Sequence, residues 1–212
     1  MHPSSMRKEY KSRLLLEQDV DHDPMVQFQH WFQEALASDV LEANAMVLST
    51  VSSPAHRPSA RVVLLKEIEP EGFVFFTHYT SKKGIDLEQN PYASLTFFWP
   101  ELERQVRIEG IVEKISTKNS EEYFYSRPKE SRIGAWASAQ SSKISDRHVL
   151  DEKFQFLSAR FREGEVPKPP HWGGYLLKPD YLEFWQGRPS RLHDRIAYAK
   201  EGKNWQLFRL AP

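Results

Sequence analysis

The densest group of chemically capable side chains is Trp185-Gln186-Gly187-Arg188-Pro189-Ser190-Arg191-Leu192-His193-Asp194-Arg195, with three Arg, one His, one Asp and one Trp set around a Gly and a Pro. Residues of these types make an ordinary solvated turn. Held on a β-scaffold, they also make an aromatic wall with several cations, suited to an anionic planar ligand. Arg61 and Lys66 bracket the apolar run Val62-Val63-Leu64-Leu65. A single strand would hold them roughly 16 Å apart and on opposite faces unless a bulge intervenes. Lys82 and Lys83 open a predicted helix, where the macrodipole disfavours cations while the free N–H groups, with Ser81, suit an anion. Gln105 shares a strand face with Arg107 and offers both donor and acceptor to a uracil-like ring edge. Tyr123 and Arg127 are four apart on a helix that Pro128 breaks, and Ser131 follows at the next start, which makes a phosphate clamp of two hydroxyls and a guanidinium. Gln140-Ser141-Ser142-Lys143 adds a further amide and hydroxyl cluster. Each group alone is equally an ordinary surface. Together they fit two phosphorylated planar ligands.

Composition excludes several classes of function. Lys plus Arg number 29 and Asp plus Glu number 29, so no bulk field draws the chain to nucleic acid or to an anionic membrane. There is no cysteine, which removes disulfides, thiolate metal sites and cysteine nucleophiles and accords with a cytoplasmic location. The eight histidines have no metal-ligand spacing, so no metal is expected. Neither a Gly-x-Ser-x-Gly elbow, a Gly-x-Gly-x-x-Gly turn nor a Walker loop occurs. Arg7 and Lys8 precede no apolar run, and no stretch of about 18 apolar residues offers a membrane span. No self-sufficient acid–base or nucleophile set is present, which leaves the chemistry to a bound cofactor.

These side chains need a scaffold, and 212 residues can bury one sizeable core. Residues 1–22 are polar and are expected to form a flexible N-terminal segment, with a single domain over 23–212. Asp23-Pro24 reads as a cap and a first-turn proline, and Phe28, Trp31, Phe32, Ala35 and Leu36 then recur at helical spacing to about Ser38. From Ala45 the period changes. Runs over 45–51, 60–68 and 72–78 read as a β-meander, a short helix follows Ser81 and ends near Asn90-Pro91, and strands resume over 92–99 and 103–115. Residues 117–163 read as three helical pieces: one from Thr117 to Arg127-Pro128, one over 131–138 and one over 146–162. After the stiff Val166-Pro167-Lys168-Pro169-Pro170 connector come strands at 174–178, 181–185, 195–199 and 205–210, the last two joined by a hairpin turn. Short antiparallel strands with inserted helices predict an α+β protein built on a barrel or curved sheet.

The combined motifs resemble a known family. They are Arg61-Val62-Val63-Leu64-Leu65-Lys66, Glu103-Arg104-Gln105-Val106, Ser126-Arg127-Pro128, Ile133-Gly134-Ala135-Trp136, Gln140-Ser141-Ser142, Trp172-Gly173-Gly174, Glu183-Phe184-Trp185-Gln186-Gly187, Arg191-Leu192-His193-Asp194-Arg195 and the terminal Arg209-Leu210-Ala211-Pro212. In order and spacing they resemble the pyridoxamine 5′-phosphate oxidases, FMN enzymes of vitamin B6 metabolism, over nearly the whole chain from about Arg7.

The resemblance implies an FMN-binding split β-barrel, antiparallel and Greek-key-like with peripheral helices, forming a homodimer with FMN at the subunit interface. The implied FMN contacts are Arg61, Val62, Val63, Leu64, Leu65, Lys66, Phe76, Thr77, Lys82, Lys83, Gln105, Gln140, Ser141, Trp185 and Arg195. Phe76 has no hydroxyl, so only its backbone could hydrogen-bond the cofactor. Lys66, Tyr123, Arg127 and Ser131 would take the phosphate of the B6 substrate. Arg191 and His193, the implied catalytic pair, would cover its pyridine ring, and the Arg7 to Tyr10 segment would close over the site. The implied reaction oxidises C4′ of pyridoxamine or pyridoxine 5′-phosphate to the aldehyde, with dioxygen as final acceptor and hydrogen peroxide as product. Two other readings compete. One is a non-catalytic carrier of pyridoxal phosphate or FMN; the other is a flavin oxidase of the phenazine-biosynthesis type, whose ligands lack the phosphate that the Tyr123, Arg127 and Ser131 clamp suits.

Overall fold

The computed structural model describes Tyr10 and residues 13–212. Helix α1 (Pro24–Leu36) starts where Asp23 accepts a hydrogen bond from the Met25 amide at 2.8 Å and Pro24 takes a first-turn position. Its apolar stripe buries Phe28 and Trp31, each contributing about 2 kcal/mol of burial. Phe28 meets Phe73 and Phe97 at ring distances of 4.8 and 5.1 Å, and Trp31 meets Phe184 edge-on at 5.2 Å. α1 therefore packs on the main core.

Around that core runs one nine-stranded antiparallel sheet. Its strands are β1 (Ala45–Val51), β2 (Pro58–Leu64), β3 (Glu67–Glu69), β4 (Gly72–His78), β5 (Tyr92–Trp99), β6 (Arg104–Lys114), β7 (Trp172–Gln186), β8 (Asp194–Glu201) and β9 (Asn204–Arg209). The spatial order is β2-β1-β5-β6-β7-β4-β3, with β8 and β9 continuing from β7. Because β2 and β3 stand at opposite ends of that path yet are joined by only Leu65 and Lys66, the sheet curls until its ends meet. The Leu65 amide bonds the Asn44 carbonyl and the Lys66 amide bonds the Val74 carbonyl, so the chain changes partners at this corner. The sequence had offered one strand over 60–68. It is broken here because Leu65 turns into the core, 4% exposed, while the strand crosses from one side of the barrel to the other.

The opposite difference occurs in β7, where two expected strands are one of 15 residues. Pro179 lacks an N–H, but it lies at a bulge: Glu109 pairs with Tyr181 and Gly110 with Pro179, leaving Asp180 as the extra residue. On its other edge β7 pairs with β4 through Leu177 and with β8 from Tyr181 onward. The barrel splits at this point. Strands β4, β7, β6 and β5 lie side by side in that order, a Greek-key arrangement.

Helix α2 (Lys82–Gln89) links β4 to β5, and α3 (Thr117–Ser126), α4 (Lys129–Ala137) and α5 (His148–Arg160) fill the excursion between β6 and β7. Pro128 forces Arg127 into an extended conformation, which separates α3 from α4. These helices have small cores of their own: Phe124, Ala135 and Trp172 in one, Ile133, Ala137, Leu157 and Val166 in another. Part of the expected N-terminal leader is docked. Leu15 and Val20 join the main core, and Arg209 holds Glu17 with contacts of 2.7 and 2.9 Å. No helix among the described residues is long and apolar enough to cross a membrane.

Candidate active site

A cavity of about 670 Å³ opens between β2, β4 and the helices α3 and α4. Arg61, Lys66, Lys83 and Arg127 line it, and none of its lining residues is an Asp or Glu. On a chain with no net charge, a lining of four cations and no acid makes this cavity locally electropositive. Arg61 and Lys66 both line this cavity, against the expectation of opposite faces, because the corner at Leu65–Lys66 breaks the strand alternation between them.

Arg61 is fixed from behind. Its Nη1 donates to the Leu48 carbonyl at 3.2 Å and to Thr50 Oγ1 at 2.8 Å, and its Nη2 donates to Ser59 Oγ at 2.7 Å. The buried Asp86 carboxylate stands 4.0 Å from Nη2. Lys83 is 9% exposed and donates to Gln140 Oε1 at 2.8 Å and Thr77 Oγ1 at 3.2 Å, both neutral acceptors. Burial, and then the nearby Arg61 charge, push its pKa down to about 8. The two adjacent lysines thus have different surroundings. Lys82 turns back to Asp86 at 2.9 Å and lines a separate, smaller cavity with Gln140 and Ser141.

The clamp predicted from Tyr123, Arg127 and Ser131 is assembled along one wall of the main cavity. Arg127 lies 4.8 Å above the Trp172 ring, and its Nη1 is buried with no hydrogen-bond partner. Tyr123, Phe76 and Trp172 form a stack, with Phe76 3.8 Å from Tyr123 and 5.4 Å from Trp172. His78, 5% exposed, completes this side; burial, with the cations around it, pushes its pKa down to about 4. Its Nδ1 also lacks a partner.

Leu65, expected at the cofactor, is instead turned into the main core and is not in the cavity lining, because the corner points its side chain inward. Other predicted residues form a second group outside that lining. Gln105, Trp185 and Arg195 are direct cross-strand neighbours on β6, β7 and β8. Two residues along β7 from Trp185, Glu183, 2% exposed, accepts two hydrogen bonds from Arg195 at 2.9 and 3.0 Å and one from Arg107 at 3.2 Å. His193 Nδ1 accepts from the Arg188 amide at 3.1 Å, its ring lies 4.6 Å from Trp185, and Tyr10 packs edge-on against both rings. Ser190 and Arg191 both have positive φ, 56° and 61°, so this loop holds its exposed Arg in a strained backbone. Arg7 lies outside the described residues.

Residues 32–158 match the model of the family described as pyridoxamine 5′-phosphate oxidase. The chain belongs to the pyridoxamine 5′-phosphate oxidase family. Residues 172–212 match that family's C-terminal dimerisation region, described under pyridoxine 5′-phosphate oxidase. A protein of Cyanothece sp. named pyridoxine/pyridoxamine 5′-phosphate oxidase is 53% identical over 209 residues, covering 99% of this chain and 98% of the relative. Among solved structures, PhzG from Burkholderia lata in complex with tetrahydrophenazine-1-carboxylic acid has a TM-score of 0.89 at 30% identity, over 95% of this chain and 99% of that one. A pyridoxamine 5′-phosphate oxidase-related, FMN binding protein from Nostoc punctiforme shares the fold with a TM-score of 0.69 at 17% identity, over 87% of this chain and 95% of that one. The fold is thus the split barrel of the pyridoxamine 5′-phosphate oxidase family.

Sequence reasoning singled out the cavity cations but missed what supports them. Asp86, Glu183, His78 and Trp172 were not among the predicted site residues. Glu183 and Trp172 fall inside motifs that carry the resemblance, which was the available signal. Nothing in the sequence marked Asp86, an acid in the middle of a short helix, as the partner of Lys82 and Thr50.

Proposed function

We propose that the protein binds FMN and oxidises pyridoxamine 5′-phosphate or pyridoxine 5′-phosphate to pyridoxal 5′-phosphate as a cytoplasmic homodimer. The observation that carries this reading is the cavity with four cations, no carboxylate and an aromatic wall. When bound, FMN would supply the electron acceptor for C4′ oxidation, with dioxygen as the final acceptor and hydrogen peroxide as the product.

The residues present fit such a group. Lys83 presents a buried ammonium held by neutral oxygens, and Arg61 a guanidinium fixed by Leu48, Thr50 and Ser59, both suited to a phosphate. The unpartnered Nη1 of Arg127 is a donor without an acceptor, beside Tyr123 and Ser131. It and Lys66 would orient the substrate by its phosphate, so that binding energy at one end fixes the reacting carbon at the other.

The second group completes the site from a partner subunit in this reading. Gln105, Trp185, Arg195, Arg191 and His193 do not line their own chain's cavity, and the family's dimerisation region spans the two strands and the loop between them that carry the last four. Val47, Val62 and Phe98 are exposed large apolar residues on β1, β2 and β5, and Phe98 pairs directly with Gln105. Such a patch suits burial against a second copy. Gln105 would then meet the flavin ring edge, Arg191 and His193 would cover the pyridine ring, and the segment through Tyr10 would close over them.

The reading as a phenazine-type oxidase draws on the likeness to PhzG. The Tyr123, Arg127 and Ser131 clamp favours a phosphorylated substrate instead. The deciding experiment is a visible spectrum of the FMN-reconstituted protein mixed anaerobically with pyridoxine 5′-phosphate. Bleaching of the flavin band, restored by air with formation of pyridoxal 5′-phosphate, is expected. A flavin band that persists with both B6 phosphates rules the reading out.

A further inference from the structure

Each of the nine glycines has a local reason except one. Gly72, Gly164 and Gly202 have positive φ. At Gly84, Gly110, Gly173, Gly174 and Gly187 an added Cβ would press within 3 Å of neighbouring atoms. Gly134 is different: it lies inside α4, its φ is that of the helix, and a Cβ there would meet nothing within 4 Å. A helix-interior glycine costs about 1 kcal/mol relative to alanine. The fold therefore bears a cost at Gly134 that its own packing does not require.

The empty space has a location. Gly134 lines the cationic cavity, one turn after Ser131 of the phosphate clamp and one turn before Ser138, with Ala135 beside it. That whole face of α4 is small. The same cavity is lined by Arg127, with an unpartnered Nη1, and the 95% buried His78, with an unpartnered Nδ1, so the space belongs to a polar site built for a ligand. The adjacent Ile133 and Ala137 carry the packing of α4 against its own small core.

We propose that Gly134 is a specificity-determining residue, whose missing side chain reserves the volume next to Ser131 for the ring of a substrate docked by its phosphate. This rests on the functional reading above. A methyl group at this position enters the space of the ring rather than that of the phosphate, so it weakens the substrate and spares the cofactor.

The test compares wild type with Gly134→Ala and Gly134→Ser, each as the FMN-loaded dimer. Pyridoxal 5′-phosphate is titrated by equilibrium dialysis, the KM for pyridoxine 5′-phosphate is measured, and melting temperature, FMN affinity and dimer dissociation are followed alongside. The expected result is pyridoxal 5′-phosphate binding weakened about tenfold in Gly134→Ala and further in Gly134→Ser, the range for overfilling a tight space. FMN affinity and dimerisation stay unchanged, and the melting temperature of the ligand-free protein does not fall. Unchanged pyridoxal 5′-phosphate binding overturns the proposal. So does a loss of FMN instead, which assigns the space to the cofactor, or a weakened dimer, which assigns it to the partner subunit, or a lower melting temperature, which makes the glycine structural. If wild type itself neither binds pyridoxal 5′-phosphate nor turns over pyridoxine 5′-phosphate, the functional reading fails before Gly134 is tested.

Discussion

The cavity wall and the β6–β7–β8 row both carry arginines, yet their charges are settled in opposite ways. In the row, Arg195 closes a two-point ion pair on Glu183, and Arg107 is shared between Glu183 and Glu109. In the cavity, the contacts of Lys83 are neutral oxygens and Arg127 Nη1 has no partner. A buried cation without a counter-ion is costly, and that cost is recovered when an anion arrives. The row satisfies its charges within the fold, whereas the cavity leaves donors open, which is the state the proposed anionic ligands would complete.

The largest way to break this contrast is Arg127→Ala. Losing the charge-assisted contacts to a phosphate should lower kcat/KM for pyridoxine 5′-phosphate about 100-fold. Because the substitution also removes an uncompensated charge, thermal melting of the ligand-free protein should show no loss of stability. A marked drop in melting temperature would make Arg127 a structural residue. In the row the sign reverses. Glu183→Gln should destabilise the protein by about 2 kcal/mol in urea unfolding, since losing the nearly buried carboxylate leaves Arg195 without its counter-ion and Arg107 with Glu109 alone. An unaltered unfolding midpoint would show that solvent already satisfies Arg107 and Arg195.

Two pH experiments sharpen the comparison with smaller effects. Lys83, held near 8, is charged below that pH and loses its proton above it. FMN affinity should therefore weaken by up to tenfold per pH unit above about 8, and Lys83→Arg should flatten the profile. An equally steep fall in the arginine variant would assign the titration to another group. His78 is depressed from 6.5 to about 4, so its contribution to stability is fully present above pH 6.5 and is lost as pH falls from there towards 4. His78→Asn should show a shallower decline in melting temperature over that window, with little change at neutral pH.

Much of the element list was legible because local rules suffice for it. The Asp23 cap, the Ser81 start, the Pro128 break and the Gly202 turn act within a few residues, and β1, β4 and β5 match the apolar runs that announced them. The two strand errors share one cause. At Leu65–Lys66 and at Pro179–Asp180 the deciding fact is which distant strand pairs on each side, and periodicity within one strand does not carry that information.

The same limit governed the site. The sequence by itself determined which side chains could bind phosphate and flat rings, that no thiol chemistry is available, and, through its ordered motifs, the family. Only the tertiary structure decided how they are grouped. It turned Lys83 inward and Lys82 back to Asp86, brought Arg61 and Lys66 around a corner into one cavity, and set Gln105, Trp185 and Arg195 in a separate row. The reason is physical. A residue's type sets what it can bond, whereas burial and the partners supplied by distant strands set whether that capacity is spent within the fold or left for a ligand.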